Sequence, residues 1–236
     1  MIGVGFLRLH SKVKETVASP IFSHPGGPGY SFVEGFKNQK GRIEDYFLDI
    51  AEFTNFADVV LVDQRGYSKY GDVLKATYHR QENPLPLAKK IAQDKPFAIE
   101  TTEAFAKTEI DLSGYTAIEC AYDVNELRQA LGYENICLYA WSFGSQWSFT
   151  LMRLFPETIT LAALSGIEPI NNEFDMPSDV MTAIHRIWKY IAEDERFTPH
   201  LPEGGMTELA RLVLQKVEQN PIVVHENMTI GPTDIP

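Results

Sequence analysis

The sequence is poor in cysteine. Its 236 residues hold two, Cys120 and Cys137, with no CxxC pair, which excludes a disulfide scaffold and a thiolate metal ribbon. One falls in a helical pattern and the other in a strand pattern, as buried free thiols do. Histidine is sparse too. His10, His24, His79, His185, His200 and His225 are scattered with no HExxH or HxH pair, so no metal and no cofactor are expected. Positive charge is also short: 21 Lys and Arg face 32 Asp and Glu, for a net charge of −11, with no basic run. Nucleic-acid binding depends on phosphate neutralisation and is therefore not expected. No apolar run approaches the roughly 20 residues that cross a bilayer, so no membrane span is expected. The first residues lack a basic n-region and a small-residue cleavage site; with Met1 read as the start, this implies a cytoplasmic protein.

Apolar residues make up 44% of the chain, enough for a sizeable core in a protein of this length. The segment Leu138-Tyr139-Ala140-Trp141-Ser142-Phe143-Gly144 carries the strongest signal. An apolar run, Ile136 to Tyr139, feeds a small-x-Ser-x-Gly turn, and a helical pattern follows at once. This is the layout of a nucleophile elbow, in which the serine hydroxyl is exposed on a sharp strand-to-helix turn. Residues two before and two after the serine must be small, because the two backbones nearly touch; here the first is Ala140 where glycine is usual. The same serine also reads as a helix N-cap.

Upstream, Ser23-His24-Pro25-Gly26-Gly27-Pro28-Gly29-Tyr30 follows a short apolar strand, Pro20 to Phe22. Acyl transfer needs a second N–H aimed at the developing oxyanion, and glycines let the backbone approach closely. The alternative is an ordinary Gly/Pro turn. A third segment, Val59-Val60-Leu61-Val62-Asp63-Gln64-Arg65-Gly66, is a buried-strand run ending in a polar turn, with Asp63 and Arg65 read as residues that fix it.

The rest of the pattern alternates. Met1 to Leu9 reads as a strand, Ile43 to Phe53 as an amphipathic helix and Ala57 to Val62 as a strand. Residues 67–100 read as a polar, proline-bearing excursion with a short helix near Leu87 to Gln93. Thr116 to Leu131 is a helix stopped by Gly132, followed by strand Asn135 to Tyr139, helix Phe143 to Phe155 and strand Ile159 to Leu164. Strands separated by helices predict an α/β fold with a mostly parallel sheet. After Gly166 the alternation ends: Met176 to Glu193 and Met206 to Glu218 read as helices, with only a short apolar run at Ile222 to Val224. Trp188 and Tyr190, at helical spacing, read as core or as pocket lining.

Together His-Pro-Gly-Gly-Pro-Gly (24–29), Asp-Gln-Arg-Gly (63–66) and Ala-Trp-Ser-Phe-Gly-Ser (140–145) resemble the prolyl iminopeptidase and tripeptidyl-aminopeptidase group of α/β-hydrolases, over residues 2–170. The resemblance implies an α/β-hydrolase fold with a core at 1–170 and a helical cap beginning at 171–236. It implies a serine peptidase that cleaves peptide bonds near a free N-terminus, with Ser142 as nucleophile and the N–H groups of Phe143 and Gly27 as oxyanion hole. His24 then shapes the glycine loop and is not the base. A free N-terminus is met by cap carboxylates, for which Glu193, Asp194 and Glu195 are available.

Two departures stand out. The run Gly66-Tyr67-Ser68-Lys69-Tyr70 lacks the second glycine that relatives carry there. The triad's Asp and His belong beyond the cap; the histidines after Ser142, His185, His200 and His225, all fall in the cap-like region and are minor alternatives for the base. The reading is therefore a fold incomplete at its C-terminus, with little activity until a further segment or a second chain completes the triad. Glu168, after the strand that follows the nucleophile, is a possible acid; its alternative is a loop carboxylate before Pro169. The expected partner is a peptide or a small amide or ester. Rival readings are an esterase or lipase-like hydrolase and a non-catalytic binding protein on a degenerate hydrolase fold.

Overall fold

The computed structural model describes residues 2–13, 18–38, 42–76, 87–170, 176–225 and 228–231. They fall into two compact units, one formed by Met1–Lys75 and Asp111–Glu173, the other by Ala76–Ile110 and Phe174–Pro236. This division differs from a single break near residue 170, because 76–110 joins the second unit.

The first unit is built on a five-stranded sheet in which β1 (Phe6–Leu9), β3 (Val59–Val62), β2 (Ile21–His24), β4 (Ile136–Trp141) and β5 (Ile159–Ser165) lie side by side in that order. Only β1 runs antiparallel to its neighbour; β3, β2, β4 and β5 are mutually parallel. Phe22 of β2 lies in register between Val60 and Leu138. The Val-Val-Leu-Val run of β3 is wholly buried, as a parallel strand covered on both faces must be.

Successive residues of β3 point to opposite faces, and a core forms on each. Val60 and Val62 pack with Phe22, Leu138, Trp147 and Leu151. Val59 and Leu61 pack with Phe32, Phe47 and Ile50. The first cluster engages α4 (Ala117–Ala130) and α5 (Phe143–Leu154), the second α1 (Phe32–Asn38) and α2 (Arg42–Phe53). Each such side chain contributes about 1.5–3 kcal/mol by leaving water.

Local chemistry sets the helix ends. The Thr116 hydroxyl caps α4 by accepting from the Glu119 N–H at 3.3 Å, at the start of a Thr-x-x-Glu sequence. At the other end Tyr133 N–H reaches Arg128 O and Gly132 N–H reaches Gln129 O, both at 3.0 Å. This is a Schellman closure, with Gly132 at a positive φ of 77°. The sequence pattern does not assign α1 at all. Its start is fixed from a distance: Asp63 accepts from Ser31 Oγ at 2.7 Å, Phe32 N–H at 2.6 Å and Val33 N–H at 3.2 Å.

Arg65, just beyond β3, forks onto Asp123 of α4 at 2.7 and 2.6 Å. It also donates to Gly114 O and, at 3.3 Å, to Glu119. The hydrogen bond to Asp123 holds its guanidinium above the ordinary arginine value. Asp63 and Arg65 thus fix turns, in line with their sequence reading.

The second unit contains α3 (Leu87–Lys107), α6 (Pro177–Ala192), α7 (Gly205–Gln219) and a two-stranded antiparallel sheet of β6 (Ile222–His225) and β7 (Met228–Ile230). The expectation of a short helix ending near Gln93 is corrected: α3 runs through Pro96 to Lys107. Residues 77–86, part of the expected excursion, lie outside the described residues. Trp188 lies against the Gly205 backbone, where an added Cβ would sit 3.0 Å from its ring, while Tyr190 is exposed. No helix among the described residues is long and apolar enough to cross a membrane.

Candidate active site

Ser142 stands where β4 gives way to α5, with φ 54° and ψ −135°. A positive φ is costly for a side chain with a Cβ and persists only where its surroundings impose it. Here the Ser142 N–H bonds Ser165 O of β5 at 3.1 Å, and its carbonyl accepts from Ser145 N–H at 2.8 Å. The small flanking residues answer to sterics. A Cβ on Gly144 would lie 2.5 Å from the carbonyl oxygen of His24, and Ala140 is buried. The glycine loop comes against the nucleophile, since a Cβ on Gly26 would touch the Ser142 Cβ at 3.4 Å. Phe143 opens α5, so its N–H has no acceptor within the helix and sits at the positive end of the helix dipole.

Within the departing run 66–70, Tyr67 has a structural role. The Tyr67 ring occupies the place that a Cβ on Gly29 would need, 2.6 Å away, and Gly29 has φ 102°. Gln64 Oε1 accepts from the Gly29 N–H at 3.2 Å. The turn after β3 therefore braces the glycine loop.

Glu168 comes to the serine. Ser142 Oγ donates to Glu168 Oε1 at 2.9 Å. The segment carrying Glu168 is tied to the first turn of α5: Glu168 N–H donates to Ser145 Oγ at 2.9 Å, and Ser145 Oγ donates to Ser142 O at 2.7 Å. Gln146 Nε2 adds a bond to Pro169 O at 3.3 Å. Sequence reasoning assigned no role to Ser145 or Gln146. Their one sequence signal is the polar pair three and four residues after the serine, on the helix turn that faces back toward it.

His24 is fully buried and stacks on Trp147 with ring centroids 4.4 Å apart. Ser148 Oγ donates to Gly144 O at 2.7 Å, so at its 3.0 Å contact with His24 it accepts from Nδ1–H. Burial pushes the imidazole down to about 3, which keeps it neutral. Nε2 of His24 and Nε1 of Trp147 are buried without a hydrogen-bond partner among the described residues. This histidine packs the loop and takes no proton from Ser142. Among the described residues of the first unit, no histidine hydrogen-bonds Ser142. His185 and His200 belong to the second unit, and His79 and the side chain of His225 lie outside the described residues. Of the three acidic residues at 193–195, Asp194 pairs with Arg196 at 2.5 Å.

A cavity of about 370 Å³ opens beside α5, lined by Thr116, which caps α4, by Ile118 of α4, by Gln146, Thr150 and Arg153 of α5, and by Ile170. Ser142 and Glu168 do not line it. Both cysteines are free, and burial pushes the Cys120 thiol up to about 12, which leaves it unreactive. Among the described residues no cluster of three or more His, Cys, Asp or Glu is placed to hold a metal.

A sequence profile described as alpha/beta hydrolase fold matches residues 20–191, more than half of the chain. The chain belongs to the alpha/beta hydrolase family. The profile takes in the glycine loop, Ser142 and Glu168 alike. No curated protein matches the chain. Among solved structures, this alpha/beta hydrolase chain is similar to a marine microorganism esterase at 10% identity, covering 98% of this chain and 69% of the other, with a TM-score of 0.45. It is similar to an epoxide hydrolase from Bacillus megaterium at 14% identity, with 92% and 58% covered and a TM-score of 0.41. An esterase from Exiguobacterium antarcticum matches at 17% identity, with 80% and 53% covered and a TM-score of 0.40. The chain spans between 32% and 69% of the lengths of such structures. Likenesses this distant say nothing of substrate.

Proposed function

We propose that the chain carries the nucleophile half of a serine hydrolase, with Ser142 as the attacking group and peptide amide bonds near a free N-terminus as its target. The observation that carries this reading is Ser142 itself, at positive φ on a strand-to-helix turn with the glycine loop packed against it. Ser142 Oγ adds to the scissile carbonyl carbon, and the carbonyl π pair moves onto oxygen. The N–H groups of Phe143 and Gly27 receive that oxyanion, each donor being worth about 3–4 kcal/mol in the transition state. Collapse expels the leaving group with a proton and leaves an acyl-serine, which water then cleaves.

The serine's proton requires a base, and an acid to orient it. In this reading both arrive from a further segment or a second chain, residues 1–170 belong to the catalytic core and 171–236 to a helical cap segment. The narrower assignment to the aminopeptidase group rests on the three sequence motifs. Esters pass through the same tetrahedral intermediate, so an esterase is the second reading, favoured equally by the same serine and glycine loop.

The test is covalent labelling by a fluorophosphonate, read by intact mass and peptide mapping, of the chain completed with the segment that supplies its base. One adduct at Ser142, absent from Ser142→Ala, is expected. A chain that stays unlabelled, or is labelled elsewhere, sinks the proposal and leaves a binding protein on a hydrolase fold. Turnover of aminoacyl-naphthylamides against short-chain nitrophenyl esters, measured on the completed enzyme, separates peptidase from esterase.

A further inference from the structure

We infer that Ser145 is a positioning residue for acyl transfer: it aims the peptide whose N–H, on Phe143, receives the oxyanion. The inference deepens the reading of Ser142 as nucleophile and rests on it.

The carbonyl of Ser142 and the N–H of Phe143 belong to one peptide unit, which is planar and trans, so the two point in opposite directions. Ser145 holds the carbonyl end twice. Its N–H donates to Ser142 O at 2.8 Å and its Oγ at 2.7 Å. A backbone carbonyl has two lone pairs, and one residue engages both. The peptide before it is fixed by the bond from Ser142 N–H to Ser165 O. The peptide after it can turn about ψ of Ser142 and φ of Phe143, and the two bonds from Ser145 oppose that turn directly. Ser142 sits at φ 54° and ψ −135°, a sparsely populated conformation that needs such support.

Ser145 also acts through polarisation. Its Oγ accepts from Glu168 N–H at 2.9 Å while donating to Ser142 O. Glu168 N–H, the Ser145 hydroxyl and the 142–143 peptide thus stand head to tail, ending at the Phe143 N–H. Bonds in such a chain strengthen one another by about 10–30% each. Ser145 is fully buried, where little water competes for them.

The ordinary role of a helical serine or threonine is a bond back to the preceding turn. Ser148 to Gly144 O and Thr150 to Gln146 O are bonds of that kind, at 2.7 and 3.0 Å. Ser145 differs in its acceptor, which is the peptide that carries the oxyanion donor, and in its second bond to the segment after β5.

Fluorophosphonate labelling of the chain completed with its base-bearing segment tests this. The Ser142 Oγ–P bond forms, the P–F bond breaks, fluoride leaves and the hydroxyl proton goes to the base; the phosphoryl oxygen takes the oxyanion's place. Ser145→Ala should slow labelling roughly tenfold, short of the 10²–10³ that loss of a donor costs outright. The adduct's phosphorus NMR resonance should move toward that of the same adduct unfolded. Ser145→Thr, which keeps the hydroxyl, should restore both readouts. Should Ser145→Ala not fold, Ser145→Cys, whose S–H is a weak donor, should show the same changes in smaller measure. Thr150→Val removes a comparable bond from the same helix. It should lower the melting temperature and leave rate and resonance as in the wild type.

A wild-type rate and resonance in Ser145→Ala, or changes that Thr150→Val reproduces, overturn the positioning role and leave Ser142 standing as nucleophile. No adduct at Ser142 in the wild type overturns both readings together.

Discussion

β3 and β5 are alike in composition and opposite in circumstance. Val59–Val62 is buried at every residue, whereas β5, with the apolar run Leu161-Ala162-Ala163-Leu164, leaves Leu161 59% exposed. β3 has a strand on each side and a core cluster on each face. Among the described residues β5 pairs with β4 alone and stands at the margin of the sheet. Apolar composition records what a strand is suited to pack against; neighbours decide whether it is buried. An exposed strand edge of this kind invites pairing with another strand.

The matched pair Leu61→Ala and Leu161→Ala breaks or upholds the comparison most directly. Leu61 is fully buried, so its truncation should cost about 3 kcal/mol, and that of Leu161 under about 1 kcal/mol. Urea unfolding of the two variants measures both, and equal losses mean that β5 is covered in solution.

Acid sharpens the contrast at the entry to β3. Asp58 accepts from Arg8 at 2.7 Å, from the Ser11 N–H at 2.7 Å and from the Tyr133 hydroxyl at 2.5 Å. Partial burial pushes its carboxyl up, but the hydrogen bonds from Tyr133, Ser11 and Arg8 outweigh that and bring it down to about 2. A lowered carboxyl stabilises the fold above its unfolded value and loses that contribution as pH falls through the folded one. The loss should therefore run from about pH 4 to about 2. Asp58→Asn should be less stable at neutral pH and insensitive across that window, as followed by thermal melts in a pH series. If wild type and variant decline in parallel, Asp58 does not carry the effect.

The smallest expected change in stability is that of Leu161→Lys, within about 0.5 kcal/mol at an exposed position. Its readout is association. A lysine on an edge strand opposes edge-to-edge pairing, so sedimentation should show less self-association than in the wild type. An unchanged profile means that β5 does not mediate contact between copies.

What could be read from the chain were patterns local in sequence. The elbow around Ser142, the apolar run of β3 and the Thr116-to-Gly132 helix each announce themselves within a few residues. What could not be read were contacts between residues far apart. Asp63 fixes α1 from 31 positions away, Arg65 reaches Asp123 across 58, and Glu168 meets Ser142 across 26; no periodicity encodes these. The continuation of α3 past Gln93 was hidden because Pro96 reads as a helix breaker. The exposure of β5 was hidden because its composition reads as core.

Trp147 gives the molecule an optical consequence. Its indole is fully buried and stacked on neutral His24 between α5 and the glycine loop. The chain's other two tryptophans are Trp141 and Trp188. With those two replaced by phenylalanine, the remaining fluorescence reports one event alone, the moment at which the helix that carries the nucleophile lifts from the sheet and its ring meets water.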